Sequence, residues 1–224
     1  MLANGFAPSA AAQTQQSIFV TLSGAAAPGR NQLVKRDQAL FWEGDPVDGY
    51  YRVVGGAVRL CKMMPDGRRQ ISDFFGPGDL ILIELSVEHA FTAEAIVDSV
   101  VCHYPRPTVD ALLSDPQFSR QLLTIACDRL VSAHHRMAVL GRKTAEERLA
   151  TFLATSARRL PATRHVMSLP MSRADIADYL GLTVETVSRV LSKFKRDRLI
   201  DLPDSHSVRI VDRDQLERLS DGDA

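Results

Sequence analysis

The stretch Ser172 to Asp197, SRADIADYLGLTVETVSRVLSKFKRD, leaves the chain few choices of local structure. Pro170 precedes it, and Ser172 stands where an N-cap hydroxyl takes up an orphan backbone N–H. Asp175 is acidic in the first turn and supplies the second half of a capping box. Ile176, Ala177 and Leu180 recur at helical spacing, and Gly181 provides the left-handed residue that ends this helix. Leu182 is an apolar pin in the turn. Thr183 is a second N-cap, and Val187, Val190, Leu191 and Phe194 form the buried stripe of a second helix. Two short helices joined by a glycine turn, with the small Ala177 where they cross, predict a helix-turn-helix.

With that stripe facing the core, Glu185, Ser188 and Arg189 share the outer face of the second helix's first two turns. A recognition helix presents this end to base edges in the major groove. An arginine fork matches guanine O6 and N7, and a carboxylate accepts from cytosine N4, so the pair is suited to reading neighbouring G·C information. Lys193, Lys195, Arg196 and Arg198 follow as charge for phosphates. An isolated Glu-x-x-x-Arg is more simply a surface ion pair. Its setting between two caps and a glycine turn favours DNA reading.

The formal net charge of the 224 residues is zero, so the chain is not coated for indiscriminate nucleic-acid binding. From Arg158 to Ile200, however, nine Lys/Arg stand against four Asp/Glu, which gathers positive charge around the helix-turn-helix. No apolar run approaches the roughly 18 residues of a membrane span, and no signal-peptide pattern opens the chain. Cys61, Cys102 and Cys127 are odd in number and far apart, which fits reduced thiols in a cytoplasmic protein. There is no Ser-His-Asp motif, metal-ligand spacing or phosphate-cradling glycine loop, so the sequence does not read as an enzyme.

Residues 1–28, rich in Ala, Ser, Gln and Pro, read as a flexible tail. Residues 29–109 change to short strands: Ala39–Trp42, Tyr50–Val54, Ala57–Lys62, Arg69–Phe75, Leu80–Ile83 and Ala90–Ile96. Glu43-Gly-Asp-Pro46, Gly55-Gly56, Pro65-Asp-Gly67 and Gly76-Pro-Gly-Asp79 punctuate them, predicting an antiparallel roll or barrel. Residues 110–141 carry a long helix over roughly Asp115 to Leu140. In it Leu123, Ala126, Leu130, Ala133, Met137 and Leu140 step by three and four, an a/d seam that predicts a parallel homodimer. The alternative is a single helix lying on the roll, for which a broader apolar face would serve. Residues 142–224 hold the helix-turn-helix, then a β-hairpin wing over Leu199–Val211 and a short closing helix from Asp212 to Leu219. Ser205, His206, Ser207 and Arg209 on the wing are candidates for phosphate contacts.

The run Phe41 to Asp79 resembles the cyclic-nucleotide-binding-like β-roll of the CRP/FNR superfamily of bacterial transcription regulators, through its Glu-Gly-Asp turn, glycine-rich hairpin and Phe-Gly-Pro-Gly-Asp turn. Gly141 to Ala150 resembles the FNR-like signature opening the DNA-binding domain, with Gly141 as the hinge. Val184-Glu-Thr-Val-Ser-Arg189 is similar to the FNR-type and FixK-type reading helix; nucleotide-activated members usually carry Arg in place of Val184. The resemblance implies an α+β fold: an N-terminal antiparallel β-roll, a long dimerisation helix and a C-terminal winged helix-turn-helix. It implies that Glu185, Ser188 and Arg189 read bases while Ser172, Arg173, Thr183 and Thr186 hold phosphates. It also implies a TTGA-type palindrome and transcription control, chiefly activation, through RNA polymerase, usually in oxygen-limited or nitrogen metabolism.

The sequence departs from the nucleotide-binding members. Leu82-Ile83 stand where a Gly-Glu pair would cradle the cyclic phosphate and ribose, and His89 and Phe91 where an Arg and an Ala would be. Branched apolar side chains provide neither a backbone nest nor a fixed cation. No cyclic nucleotide is therefore expected to bind, and Phe91, Leu82 and Ile83 read as core. Residues 1–60 hold no cysteine, against the clustered set of iron–sulfur members. Cys102-His103 and His134-His135 are sequence neighbours that point apart, which disfavours a shared metal. The expectation is a regulator without a cofactor. The alternative is the same DNA reader gated by haem or another small molecule in the roll.

Overall fold

The structure, a computed structural model, describes residues 29–81, 84, 86–158 and 166–222. The expected tail, and Leu82 and Ile83, lie outside the described residues. The chain divides into two compact units, with the change between Val131 and Ser132 inside a long helix. The fold is α+β, an N-terminal β-roll followed by helices and a winged helix-turn-helix.

Eight strands build the roll: β1 (Arg30–Val34), β2 (Ala39–Phe41), β3 (Gly49–Gly55), β4 (Val58–Met63), β5 (Arg69–Phe75), β6 (Leu80–Ile81), β7 (Thr92–Ala95) and β8 (Ser99–Pro105). They form two antiparallel four-stranded sheets, ordered β1-β8-β3-β6 and β2-β7-β4-β5. Period-two alternation divides each strand between faces. Val53 and Val101 of the first sheet meet Val58, Leu60, Ala93 and Ala95 of the second in a core shared with Phe41, Tyr51, Phe75 and Ile81. Tyr50, Leu80, Cys102 and Tyr104 point to the other face of the first sheet. There they are covered by α1 (Arg106–Leu112) through Val109 and by α2 (Pro116–Arg142) through Phe118, Leu122 and Ile125. Gly56 makes the β3–β4 turn at φ 89°, where a Cβ would strike Ser99. Arg129 fastens α2 to the sheet, donating to Asp73 at 3.0 Å and to the Leu80 carbonyl at 3.0 Å, with its guanidinium over Phe75.

The expected strands from Ala39 to Ile81 and around Ala93 are present with slightly shifted ends. β1, β8 and α1 are additional, and the expected boundary at 109/110 falls inside α1. β1 carries little signal because four of its five side chains are exposed; its pairing with β8 and the burial of Val34 define it.

The second unit contains the last turns of α2, then α3 (Ala145–Arg158), β9 (Val166–Ser168), α4 (Arg173–Leu180), α5 (Val184–Arg196), β10 (Ile200–Asp204), β11 (Ser207–Ile210) and α6 (Arg213–Asp221). α3 packs on α6 and on α5, with Leu149, Leu153, Phe194, Ile200 and Leu216 fully buried. The expected hairpin wing is β10–β11, extended by β9 into a three-stranded sheet ordered β10-β11-β9. Asp212 caps α6, accepting from the Gln215 N–H at 2.9 Å.

Gly141, the expected hinge, lies inside a helix: α2 runs through it to Arg142, and the break falls at Lys143-Thr144. A helical glycine costs only about 1 kcal/mol. The stop is set by the next helix, whose Thr144 forms a reciprocal cap with Glu147: the Thr144 N–H donates to Glu147 Oε2 at 2.7 Å and the Glu147 N–H to Thr144 Oγ1 at 3.4 Å.

Candidate nucleic-acid interface

The recognition element begins with the predicted capping box. Ser172 Oγ accepts from the Asp175 N–H at 3.0 Å, and Asp175 Oδ2 accepts from the Ser172 N–H at 3.0 Å and hydroxyl at 2.8 Å. Gly181 closes α4 at φ 61° and ψ 42°, and the Leu182 N–H returns to the Ala177 carbonyl at 3.0 Å. Thr183 caps α5 by accepting from the Thr186 N–H at 3.2 Å. Ile176, Ala177, Leu180, Val187, Val190, Leu191 and Phe194 are all buried. Burial of that stripe fixes which face of α5 is left outside.

That face carries the expected residues. Glu185 and Arg189 are exposed and Ser188 is half-buried. The Glu185 carboxyl is held below its ordinary pKa by its own backbone N–H and by the Thr183 hydroxyl, so it stays ionised at neutral pH. Arg173 and Thr186 are half-buried at the starts of α4 and α5, and Thr183 is exposed. His206 is exposed at the wing tip, where its N–H donates to Asp204 Oδ1 at 2.7 Å. Around the wing Ser207 is bonded to Asp204 at 2.7 Å, and Arg209 and Lys195 approach Asp201 at 3.5 and 3.8 Å.

Lys193 is engaged differently from the expectation of a free cation. Its ammonium grips both carboxylate oxygens of Glu146, at 2.7 and 2.6 Å, across a cleft of about 600 Å³ between α3 and α5. Two further residues were not singled out by sequence reasoning. Arg148 donates to three backbone carbonyls, Lys143 at 2.9 Å, Leu180 at 3.0 Å and Leu140 at 2.7 Å. It thereby ties the C-terminal ends of α2 and α4 together, where the helix dipoles favour a cation. Lys143 donates to Thr151 Oγ1 at 2.9 Å and to the Ser220 carbonyl. No local pattern marks these roles, because most of the partners are backbone carbonyls, and Leu180 and Ser220 lie 32 and 77 residues away.

On α2 the face that packs on the roll and the a/d seam are separate. Phe118, Leu122 and Ile125 are buried, whereas Leu123, Leu130 and Met137 are 64%, 57% and 61% exposed. Ala126 is also exposed, and Ala133 and Leu140 are half-buried.

In the roll, His89 stands at the position aligned with the arginine of nucleotide-binding members. His89 is buried, stacked on Phe41 at 3.7 Å, and its Nδ1 lies 2.5 Å from Glu84 Oε2. Glu84 Oε1 also accepts the Ala90 N–H at 2.8 Å. Phe91 packs against the shared core, as expected. Cys61 and Cys102 are buried and Cys127 exposed, and among the described residues no three His, Cys, Asp or Glu gather to hold a metal. Among them, too, no helix is long and apolar enough to cross a membrane.

A capped two-helix reader on a three-stranded wing, following a β-roll and a long helix, defines a winged-helix DNA-binding transcription regulator. The Crp-like helix-turn-helix domain family matches residues 147–219, and the cyclic nucleotide-binding domain family matches residues 31–115. The chain is 41% identical over 199 residues to the nitrogen fixation regulation protein FixK of Azorhizobium caulinodans, covering 87% of this chain and 80% of that one. To the FixK of Rhizobium meliloti it is 39% identical over 214 residues, covering 94% and 98%. The solved structure of FixK2 from Bradyrhizobium japonicum superposes with a TM-score of 0.81 at 40% identity, covering 85% of this chain and 96% of that one. The chain belongs to the CRP/FNR family of transcription regulators, as a DNA-binding transcriptional activator similar to FixK.

Proposed function

We propose that the protein works in the cytoplasm as a homodimer on a palindrome of TTGA-like half-sites, without cyclic nucleotide, haem or iron–sulfur cluster, and activates transcription through RNA polymerase. The observation that carries this reading is the outward trio Glu185, Ser188 and Arg189 on a helix capped at Thr183 and buried along its opposite face. Arg189 offers a bidentate fork to guanine and the ionised Glu185 an acceptor to cytosine N4. Arg173, Thr183, Thr186, Lys193 and His206 bind phosphates and set the register. At Ser172 the hydroxyl is already used in both directions by Asp175, so the contact there falls to the backbone N–H groups at the start of α4.

The dimer forms along Leu123, Ala126, Leu130, Ala133, Met137 and Leu140. Its two-fold axis sets the recognition helices about 34 Å apart for successive major grooves. The His89–Glu84 pair supports the absence of cyclic-nucleotide control, because these residues do not fit a phosphate. The names of the relatives direct the search for targets to genes of nitrogen fixation.

The test is fluorescence anisotropy of purified protein on a TTGA palindrome and on a scrambled duplex, with no additive. Tight binding to the palindrome alone supports the reading. Equal affinity for both overturns the base-reading assignment, and binding that requires haem or another small molecule overturns effector independence.

A further inference from the structure

The two glutamates that open α3 are adjacent in sequence but serve different partners. Glu147 takes the Thr144 N–H at 2.7 Å and belongs to its own helix's cap. Glu146 reaches across the cleft to Lys193 on the recognition helix. The same cleft is lined by Thr144, Ala145, Arg189 and Arg196, so the Glu146 carboxylate is set among cations of the DNA-facing helix. Arg196 lies 3.8 Å from its neighbour Asp197, whereas Lys193 is held by a carboxylate from a different helix.

We infer that Glu146 is an affinity-setting residue: it occupies Lys193 in the free protein, and DNA binding requires Lys193 to exchange that carboxylate for a backbone phosphate. The inference rests on the proposed role of Lys193 as a phosphate contact. The pair is suited to exchange. Its side chains are 41% and 37% exposed, so water screens it and the bond is weak. A phosphate presents the same charge to the same ammonium and adds counterion release from the duplex. The released Glu146 is left near the duplex and must recruit a cation, which offsets part of that gain. Wild-type affinity is therefore held below what the cations of α5 alone would give.

The experiment measures affinity across a salt series for full-length wild type, Glu146→Gln, Glu147→Gln, Lys193→Ala and the double variant Glu146→Gln/Lys193→Ala. Glu146→Gln is expected to bind about two- to fivefold more tightly, in line with release of an exposed ion pair. Its log–log salt slope is expected to steepen by up to about 0.9, one phosphate contact no longer offset. Both gains disappear in the Lys193→Ala background, and Glu147→Gln leaves the slope unchanged. A Glu146→Gln variant that binds no tighter than wild type overturns the inference. So does a gain that persists without Lys193, which would mean simple repulsion of the duplex, or an equal gain from Glu147→Gln. If Lys193→Ala leaves the slope of a sequence-specific wild type unchanged, the exchange is wrong while base reading stands. Loss of specific binding by wild type itself refutes the underlying reading instead.

Discussion

Leu130 separates a dimerisation seam from a helix that merely covers the roll. It sits mid-seam on α2 and is 57% exposed in the single chain, one residue beyond Arg129, which is tied to Asp73 and Leu80. Fully burying a leucine is worth about 1.5–3 kcal/mol, so covering the exposed fraction is worth about 1–2 kcal/mol. A two-fold axis counts the contact twice, so Leu130→Ala should weaken association by about 2–4 kcal/mol, a dimer Kd raised roughly 30- to 900-fold. Sedimentation velocity over a dilution series reads this directly, with circular dichroism confirming the fold. Leu122, one helical face away and 9% exposed within the roll's outer cluster, is the control. Leu122→Ala should destabilise the roll by about 2–5 kcal/mol, from lost burial and the cavity left behind, with little effect on dimer affinity. An unchanged Kd for folded Leu130→Ala would refute the seam, and a monomeric wild type would refute it outright.

Other outcomes follow from the same geometry. Arg189→Ala should cost about 1–3 kcal/mol at one base pair and relax specificity there, as read from a panel of single-substitution duplexes. A uniform loss on every sequence would make Arg189 a phosphate contact. Arg148→Met removes three charge-assisted bonds to the carbonyls of Lys143, Leu180 and Leu140. It should lower urea stability by about 2–4 kcal/mol, because the freed carbonyls regain only part of their solvation. A loss under about 0.5 kcal/mol would mean that the clamp is idle. Burial first, then the nearby Glu94 carboxylate, pushes the Cys61 thiol up to about 11, so at pH 8 it carries little thiolate. Cys61 and Cys102 should resist alkylation until the protein unfolds while the exposed Cys127 reacts, as mass spectrometry of labelled peptides will report.

The DNA reader was legible because its signals are local. Ser172 with Asp175, Gly181 at positive φ and the stripe from Val187 to Phe194 each act within a few residues, and each stands where the sequence set it. The roll's strands were legible where glycine turns bound alternating residues. β1 was not, because one buried side chain and a partner strand about 70 residues away define it. The end of α2 was not legible from Gly141, because the helix runs through that glycine to Arg142. Here the cap at Thr144 and the clamp from Arg148 place the break after Arg142. Arg148 and Glu146 escaped notice for a similar reason: their partners are carbonyls or a lysine 47 residues on. Charge in the sequence does not say which partner it finds.

The spacing of half-sites tests the central claim most directly. Affinity should be measured on duplexes whose two TTGA half-sites stand one helical turn apart, and on duplexes with about five extra base pairs between them. Two recognition helices carried on one two-fold axis predict tight binding to the first and a fall to single-half-site affinity on the second, where the grooves face opposite sides. Equal affinity for both duplexes would contradict paired reading.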